Sequence, residues 1–425
     1  MQSMQSARIA LALALVAAPA GAQESAIASA RAAAHASPND PSASLALGRS
    51  LRRAGRYAES LAELRRGAST FEGRKPAAAI ELHYEIARTF IAERDFSQAM
   101  VACRVASAQT GGAAEGHACA AEADLLWRRA TDAITELAGA GHTFDAKVAE
   151  GRALALQLKD AQAEAAFRDA MSIDPSSADP HLYLGTFWAS TGKTDQAIPE
   201  LRRAVDLDPS NPDALYELGR ALPAGADALT ALDKATRERP SFLDAWVKLA
   251  EVDLALGKPA DASVAAQAAL HINAQDASAH VVVGRVALEA GKPDDALREA
   301  RAALGVLANS APAKLLMADA YAKRGDIDLA LEQYQAAYGL DRQNPDILVH
   351  AALACVKAGR LTSARAYATT ATQEHATWAP AFAALGDALA ADGDSAGARS
   401  AYTKALSAHG PLDAASVRAK IAALH

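Results

Sequence analysis

The sequence predicts an all-α solenoid of helix-turn-helix repeats, and the spacing of its small residues is the main reason. Ten alanines recur at intervals of 34, 30, 34, 31 and then five times 34 residues. A second series of small residues precedes them by twelve positions, except in one repeat, where the offset is nine. A period near 34 residues is typical of stacked helical hairpins rather than of a globular catalytic domain. The alanines are Ala99, Ala133, Ala163, Ala197, Ala228, Ala262, Ala296, Ala330, Ala364 and Ala398, and the second series is Gly151, Gly185, Gly219, Ala250, Gly284, Ala318, Ala352 and Gly386.

Each repeat also has the apolar pattern of two amphipathic helices. In one repeat Leu315, Leu316 and Tyr321 fall on one helical face, and Leu331 and Tyr334 fall on the next. The two helices are separated by a glycine, which adopts without strain the left-handed conformation that ends a helix. These glycines are Gly192, Gly257, Gly291, Gly325, Gly359 and Gly393.

Prolines indicate where helices begin and where one repeat is irregular. Pro259 and Pro293 follow a turn glycine by two residues, at the predicted first position of a second helix, where proline loses no hydrogen bond. Pro223 instead falls deep in a predicted first helix, which it would break. We therefore expect a shortened hairpin and an irregular stacking geometry in the repeat that starts near Pro212.

The best-formed repeat resembles the tetratricopeptide repeat. Residues 178–211 carry Leu184-Gly185-x-x-Trp188, then Gly192, Ala197-x-x-x-Leu201, Ala204 and Asp208-Pro209, and residues 379–410 repeat the same order of large and small residues. The resemblance implies a right-handed superhelical solenoid of about eleven repeats, with the first helix of each repeat lining a concave face. Repeats begin near residues 41, 80, 114, 144, 178, 212, 243, 277, 311, 345 and 379.

The sequence divides into four segments. We predict a signal peptide over residues 1–22, degenerate repeats over 23–143, a regular array over 144–410 and a C-terminal capping helix over 411–425. The first segment has Arg8, a short apolar run from Ile9 to Ala18, and Ala20-Gly21-Ala22, which favours cleavage after Ala22. We expect a periplasmic or secreted, soluble mature protein without a transmembrane or lipid anchor; the alternative is a buried N-terminal helix.

The overall charge and the motifs exclude several functional classes. The net charge of −7 disfavours nucleic acid as a partner. The eleven histidines show no metal-ligand spacing, and no nucleophile elbow or dinucleotide fingerprint is present, so we predict no metal, no cofactor and no catalytic residues. Thr191-Gly192-Lys193-Thr194 resembles the end of a phosphate-binding loop, but Phe187 stands where the first glycine of that loop belongs.

The three cysteines allow one disulfide. Cys103 is predicted late in a second helix and Cys119 early in the following first helix, so the two could meet between antiparallel helices. In an oxidising compartment they form either a disulfide or two separately buried thiols. Cys355 occupies a column of core residues and is interpreted as a small core side chain.

The resemblance to tetratricopeptide repeats assigns a candidate ligand groove on the first helices. An apolar column is predicted to form its floor, and a charged column lies one helical turn further on. The candidate groove residues are Val148, Arg152, Leu182, Tyr216, Arg220, Val247, Glu251, Val281, Arg285, Leu315 and Val349. Such a groove suits an extended segment or an amphipathic helix with acidic groups near Arg152, Arg220 and Arg285. The alternative is that the apolar column packs between neighbouring helices and the charged column is solvated surface.

The sequence therefore predicts a non-catalytic exported scaffold that binds proteins or peptides, in bacterial cell-envelope assembly. A first alternative is a periplasmic component of a polysaccharide-export or secretion machine. A second is an enzyme or a carbohydrate binder, which the absence of motifs and of stacked aromatic residues disfavours. The identity of the partner and the oligomeric state do not follow from the sequence.

Overall fold

A computed structural model describes residues 19–424 except 54–55, 73, 75, 94 and 109–112. Within these residues the regular structure is helical, and one isolated bridge pairs Trp378 with His409. The described residues divide into two compact units, which we call the N unit (19–242) and the C unit (243–424). The predicted signal peptide falls largely outside the described residues.

The N unit is a stack of helical hairpins preceded by one additional helix. Its helices are α1 (Pro19–Ala36), α2 (Pro41–Arg53), α3 (Tyr57–Phe71), α4 (Pro76–Glu93), α5 (Phe96–Ala108), α6 (Ala113–Leu126), α7 (Ala130–Leu137), α8 (Phe144–Leu156), α9 (Asp160–Ile173), α10 (Asp179–Ser190), α11 (Thr194–Leu207), α12 (Pro212–Ala221) and α13 (Ala226–Glu238). From α2 onward, even-numbered helices are the first helices of the hairpins and odd-numbered helices are the second helices. The side chain of Ile27 in α1 packs on Leu47 and Leu51 and so covers the first hairpin.

The C unit continues the same alternation and ends with one extra helix. Its helices are α14 (Leu243–Ala255), α15 (Pro259–Ile272), α16 (Ala277–Glu289), α17 (Pro293–Val306), α18 (Ala311–Arg324), α19 (Ile327–Leu340), α20 (Pro345–Lys357), α21 (Leu361–Glu374), α22 (Ala379–Ala391), α23 (Ser395–Ser407) and α24 (Ala414–Ala423). Val417 of α24 packs on Leu389 and Tyr402, so this helix covers the apolar face of the final hairpin. The all-α repeat solenoid that the sequence predicts is confirmed.

The helix ends carry first-position prolines, a capping carboxylate and turn glycines. Pro259 and Pro293 are the first residues of α15 and α17. The Asp276 carboxylate accepts a hydrogen bond from the backbone N–H of Ala279, 2.7 Å away, and caps α16. All six predicted turn glycines have left-handed backbone conformations, with φ between 67° and 92°.

The alanines of the 34-residue series lie at the centre of the hairpins. All ten have no exposed surface. An ideal Cβ placed on Gly185 would lie 3.2 Å from the backbone carbonyl oxygen of Ala197, which shows how closely the two helices of that hairpin approach each other. The two series of small residues therefore face each other where the helices cross.

Several glycines of the second series make room for large side chains on the partner helix. An ideal Cβ on Gly151 would lie 2.6 Å from the ring of Phe167, and one on Gly185 would lie 2.6 Å from Leu201. A Cβ on Gly386 would lie 2.4 Å from the ring of Tyr402. A side chain at any of these three glycines would displace a buried neighbour.

Two of the described turns place a residue other than glycine in the left-handed conformation. Arg128 has φ of 60° and Leu158 has φ of 57°, although each corresponds to the turn glycines of the regular repeats. The side chain of Leu158 is 78% exposed, so burial does not compensate for the left-handed conformation. These turns store strain of about 1–2 kcal/mol per residue.

The predicted irregular hairpin is shortened in the way that Pro223 requires. Its first helix, α12, has ten residues and ends before Leu222, whose backbone is extended. The residue before a proline favours an extended backbone, because the proline ring would clash with that residue in a helical conformation. The second helix begins directly afterwards, at Ala226.

We predict that Gly185→Leu lowers the unfolding free energy of the full chain by about 1–3 kcal/mol, because the new side chain overlaps Leu201. Chemical denaturation measures this change. The matched control is Gly305→Leu, since no atom lies within 4 Å of a Cβ at Gly305. Equal stability of the two variants would contradict the close-contact role of Gly185.

We predict that Leu158→Gly raises the unfolding free energy by about 0.5–1 kcal/mol, because removal of left-handed strain outweighs the added freedom of the unfolded chain. Gly192→Leu, at the equivalent turn, should have the opposite effect. Thermal unfolding of the two variants and the parent measures both changes in stability. A loss of stability in Leu158→Gly would contradict the claim that the backbone at Leu158 is strained.

Candidate functional site

The apolar column of the predicted groove is mostly core. Five of its seven residues are between 5% and 9% exposed, and only Tyr216 and Leu315 are half-buried; the five are Val148, Leu182, Val247, Val281 and Val349. Val281 packs on Ala303 and Ala313. Their burial favours the alternative in which the column packs between neighbouring helices, and the ligand groove stays a prediction. In an alanine-rich hairpin the helices lie so close together that this position packs between neighbouring helices.

The charged column is divided between the two units. Arg152 and Arg220 belong to the N unit, whereas Glu251 and Arg285 belong to the C unit. Arg220 donates hydrogen bonds to Glu217 on its own helix, at 2.6 and 2.9 Å. Lys248 donates to Glu251 in the same local manner, at 3.1 Å. Two of the four charged groove candidates are therefore paired with a residue of their own helix.

Arg152 lies instead in a cleft of the N unit, which we call the N-unit cleft. Its volume is about 250 Å³. The first helices α4, α6, α8 and α10 supply its walls, and no second helix contributes. The lining residues are Tyr84, Arg88, Ala118, Cys119, Glu122, Phe144, Asp145, Val148, Ala149, Arg152, Asp179 and Tyr183.

The N-unit cleft carries charges of both signs. The guanidinium of Arg152 lies over the ring of Tyr183, 4.7 Å from its centroid, in a cation–π contact that holds the arginine side chain flat. Burial raises the pKa of the Asp179 carboxyl, and the charge of Arg152 opposes that rise. Burial also raises the pKa of the Tyr183 hydroxyl, which therefore stays protonated at neutral pH.

A buried carboxylate stands beside the N-unit cleft. Glu85 has a fully buried side chain and accepts hydrogen bonds from Arg49 at 3.0 Å and from Arg52 at 2.7 Å. Burial raises its pKa, but the hydrogen bond from Arg49 and the charge of Arg52 outweigh burial, so the pKa of Glu85 is lowered. Arg88 lies 3.7 Å from the same carboxylate and is the cleft residue that this network positions.

A second cleft lies entirely within the C unit, and we call it the C-unit cleft. Its volume is about 400 Å³. Helices α16, α18 and α20 supply most of its walls, and α19 contributes one residue. The lining residues are Leu288, Glu289, Asp319, Ala322, Lys323, Tyr334, His350, Leu353, Ala354 and Lys357.

Asp319 is the centre of a hydrogen-bonded cluster in the C-unit cleft. Tyr334 donates its hydroxyl to Asp319 at 2.6 Å, and the Nδ1 atom of His350 lies 2.9 and 3.0 Å from the two carboxylate oxygens. Burial lowers the pKa of His350, but the hydrogen bond and charge of Asp319 outweigh it, so the pKa is raised. Burial, together with Asp319, raises the pKa of Tyr334. The cluster therefore favours a cationic imidazole beside a neutral phenol.

Sequence reasoning missed this cluster, although the repeats contain a signal for it. Tyr402 donates to Asp387 at 2.6 Å, fifteen residues away, as Tyr334 does to Asp319. From residue 144 onward, the equivalent position of the second helix in the other repeats carries Phe167, Leu201, Leu232, Ala266, Ala300 and Ala368. Tyrosine thus occurs in the two repeats that have aspartate in the charged column.

Cys103 and Cys119 are joined by a disulfide between α5 and α6, with Cα atoms 5.6 Å apart. Cys119 also lines the N-unit cleft. Cys355 is fully buried in the C unit, among Ala364 and Ala388.

Among the described residues, no group of three or more histidine, cysteine, aspartate or glutamate side chains is arranged to hold a metal ion. Over the same part of the chain, none of the helices combines the length and the apolar character needed to cross a bilayer.

Comparison with protein families identifies the repeats. A TPR repeat model matches residues 189–222, a tetratricopeptide repeat model matches 247–313, and a tetratricopeptide repeat-like domain model matches 307–425. Together the matches cover half of the chain. The chain is a tetratricopeptide repeat protein.

Several solved structures are similar to this tetratricopeptide repeat protein. Yeast Tom70 is 14% identical with a TM-score of 0.48, over 97% of this chain and 95% of its own. The APC/C hetero-tetramer Cut9-Hcn1 gives 12% identity and a TM-score of 0.49, over 96% and 94%. A thermophilic TPR protein of Thermus thermophilus, TTC0263, is 26% identical with a TM-score of 0.38, over 42% of this chain and all of its own. Comparison with curated protein sequences gives no significant match.

We predict that His350→Gln destabilises the chain more at about pH 5.5 than at about pH 8.5. Because folding raises the pKa of His350, its contribution is complete below the unfolded pKa and is lost as pH rises through the folded pKa. Urea unfolding at the two pH values measures the difference. His271→Gln is the control, since this exposed histidine has no carboxylate partner among the described residues; a parallel pH dependence in both variants would contradict the prediction.

Proposed function

We propose that this tetratricopeptide repeat protein is a non-catalytic scaffold that binds extended protein segments on the face formed by its first helices. The N-unit cleft is the observation that carries the proposal, because first helices of four successive hairpins line it without any second helix. A cleft lined by several successive repeats suits an extended chain better than a compact small molecule.

The charges of the N-unit cleft determine which segments suit it. Glu122, Asp145 and Asp179 supply carboxylates, and Arg88 and Arg152 supply guanidinium groups. Among the described residues no carboxylate accepts a hydrogen bond from Arg152, so its donors are available to a ligand. A segment with both acidic and basic side chains fits this pattern, with its acidic group at Arg152 and its basic group at Glu122 or Asp145.

The proposed setting is the bacterial cell envelope, with export directed by residues 1–22. The disulfide between Cys103 and Cys119 supports this setting, because such bonds persist in oxidising compartments. Arg8, the apolar run after it and the small residues before Gln23 have the layout of a cleavable signal peptide. Scaffolding within envelope assembly is the role that we propose for the exported chain.

The binding prediction concerns a peptide that the full-length chain selects from a random peptide library. For a ligand of the N-unit cleft, Arg152→Ala and Glu122→Gln should each weaken binding about 3- to 10-fold, since partly exposed charges contribute modestly. Isothermal calorimetry measures the affinities. Arg203→Ala, an exposed substitution on the second helix α11, is the matched control. Unchanged affinity in both cleft variants would place the ligand elsewhere, and the absence of any selected peptide would refute the scaffold role.

The export prediction concerns the N-terminus of the chain made in a Gram-negative host. Mass spectrometry should find Gln23 as the first residue and Cys103 and Cys119 bonded. A variant with Ala20→Leu and Ala22→Leu should retain residues 1–22, because bulky side chains block the cleavage site. An intact Met1 in the parent chain, or reduced thiols in the periplasmic fraction, would contradict export.

A further inference from the structure

Two neighbouring turns of the N unit expose large apolar side chains. One turn joins α6 to α7 and contains Trp127, which is 44% exposed; the other joins α8 to α9 and contains Leu158, which is 78% exposed. Leu126 and Leu156, at the same position in the two repeats, are also exposed. Leu125 and Leu156 line one hollow of about 310 Å³, so the two turns lie side by side. Four of the twelve exposed large apolar side chains among the described residues therefore lie on this part of the surface, which we call the turn edge.

The backbone of the turn edge lowers the stability of the fold. Among the described residues, Arg128 and Leu158 are the two non-glycine residues with a left-handed backbone, whereas six later turns of the array place glycine there. Glycine at either position would relieve the strain and would remove a side chain that is exposed to solvent. Backbone strain of this kind is characteristic of sites where the side chain serves function rather than folding.

Trp127 is held at the turn edge by two contacts. Its ring stacks on Phe96 of the preceding turn, with centroids 6.2 Å apart, and the guanidinium of Arg129 lies 4.8 Å from its centroid. Within the described part of the chain, no residue accepts a hydrogen bond from its indole N–H. An exposed indole with a free N–H has the amphipathic character that enriches tryptophan at the interface between a lipid bilayer and water.

The turn edge also carries two cations without a partner. The two turns together contain three cations and two carboxylates, and these are Arg128, Arg129, Lys159, Asp132 and Asp160. Asp132 pairs with Arg129, and Asp160 pairs with Lys193 of the following turn at 3.4 Å. Over the residues that the structure describes, neither Arg128 nor Lys159 lies in a salt bridge, and both are exposed.

Carboxylates of the preceding turn limit the positive charge of this surface. Glu93 is exposed there, and Asp95 accepts a hydrogen bond from the backbone N–H of Gln98, 3.1 Å away, and so caps α5. The turn edge therefore has no strong positive field. Arg128 and Lys159 can instead donate hydrogen bonds to phosphate groups that come into direct contact with them.

From these features we propose that the turn edge docks on the surface of a lipid bilayer. Trp127, Leu156 and Leu158 enter the interfacial layer, and Arg128 and Lys159 contact lipid phosphates. Apolar side chains on exposed turns suit a soft lipid interface better than a partner protein, whose anchoring contacts lie in well-packed pockets. This inference goes beyond the scaffold function, because the N-unit cleft could bind a peptide with or without a bilayer.

The experiment measures sedimentation of the full chain with vesicles of phosphatidylethanolamine and phosphatidylglycerol, with the same N-terminus in the parent and in every variant. Leu158→Gly should weaken vesicle binding about 3- to 10-fold through lost apolar contact, although we predict that it stabilises the fold. Trp127→Ser should weaken binding about 10-fold for the same reason. Arg128→Gln with Lys159→Gln should weaken it about 3- to 10-fold, and less at high salt.

Fluorescence quenching locates the indole of Trp127 relative to the bilayer. Lipids with brominated acyl chains should quench part of the tryptophan emission of the parent chain. Trp127→Phe keeps an aromatic ring, so this variant should still bind vesicles while most of the quenching is lost.

Two controls remove similar side chains elsewhere. Leu307→Gly removes an exposed leucine from a turn between hairpins, and Lys258→Gln with Lys292→Gln removes exposed cations at the position of Lys159 in later repeats. Neither should change vesicle binding, and circular dichroism shows whether each variant is folded.

Three results would overturn the inference. The first is that the parent does not bind vesicles, and the second is that Leu158→Gly and Trp127→Ser bind as the parent does. The third is self-association of the parent without lipid that Trp127→Ser abolishes, since the turn edge would then contact a second copy of the chain. Each of these results would leave peptide binding in the N-unit cleft untouched, because that proposal is tested by Arg152→Ala and Glu122→Gln.

Discussion

The close contact between the two helices of each hairpin is the constraint on which the rest of the structure depends. At Gly185 the partner backbone is so near that a Cβ atom would lie 3.2 Å from the carbonyl oxygen of Ala197. Alanine and glycine permit this approach, and the apolar residues beside them then fill the space between consecutive hairpins. Within each unit, consecutive hairpins bury apolar surface against each other, and the ligand surface that we propose is the exposed side of the first helices.

The same constraint explains which features the sequence could predict. The period of small residues locates the hairpins, and the turn glycines locate their ends, because each requires a particular backbone geometry. The burial of Val148 and Leu182 was one of two outcomes that the sequence left open, since an apolar position on a first helix faces either a ligand or the next helix, depending on the distance between helices. Arg220 pairs with Glu217 on its own helix, a local contact that the sequence analysis did not consider.

The Asp319 cluster is a set of side-chain contacts that the sequence did not predict. Tyr334 sits in a column of core residues, so its sequence context indicates packing alone. Only the three-dimensional arrangement shows that its hydroxyl reaches Asp319 and that His350 of the next first helix reaches the same carboxylate. Polar groups that satisfy one another in this way alter the charge that a cleft presents. The C-unit cleft carries two lysines, Lys323 and Lys357, and two carboxylates, Glu289 and Asp319, of which Asp319 is engaged by this cluster.

The central claim is that ligands bind to the first-helix face, and photo-cross-linking tests it most directly. A selected peptide that carries a photoreactive phenylalanine would be irradiated on the full-length chain, and the adducts located by mass spectrometry. The account predicts adducts on first helices, within Phe144–Leu156 and Asp179–Ser190 for the N-unit cleft. Adducts confined to second helices such as Asp160–Ile173 or Leu361–Glu374 would contradict it.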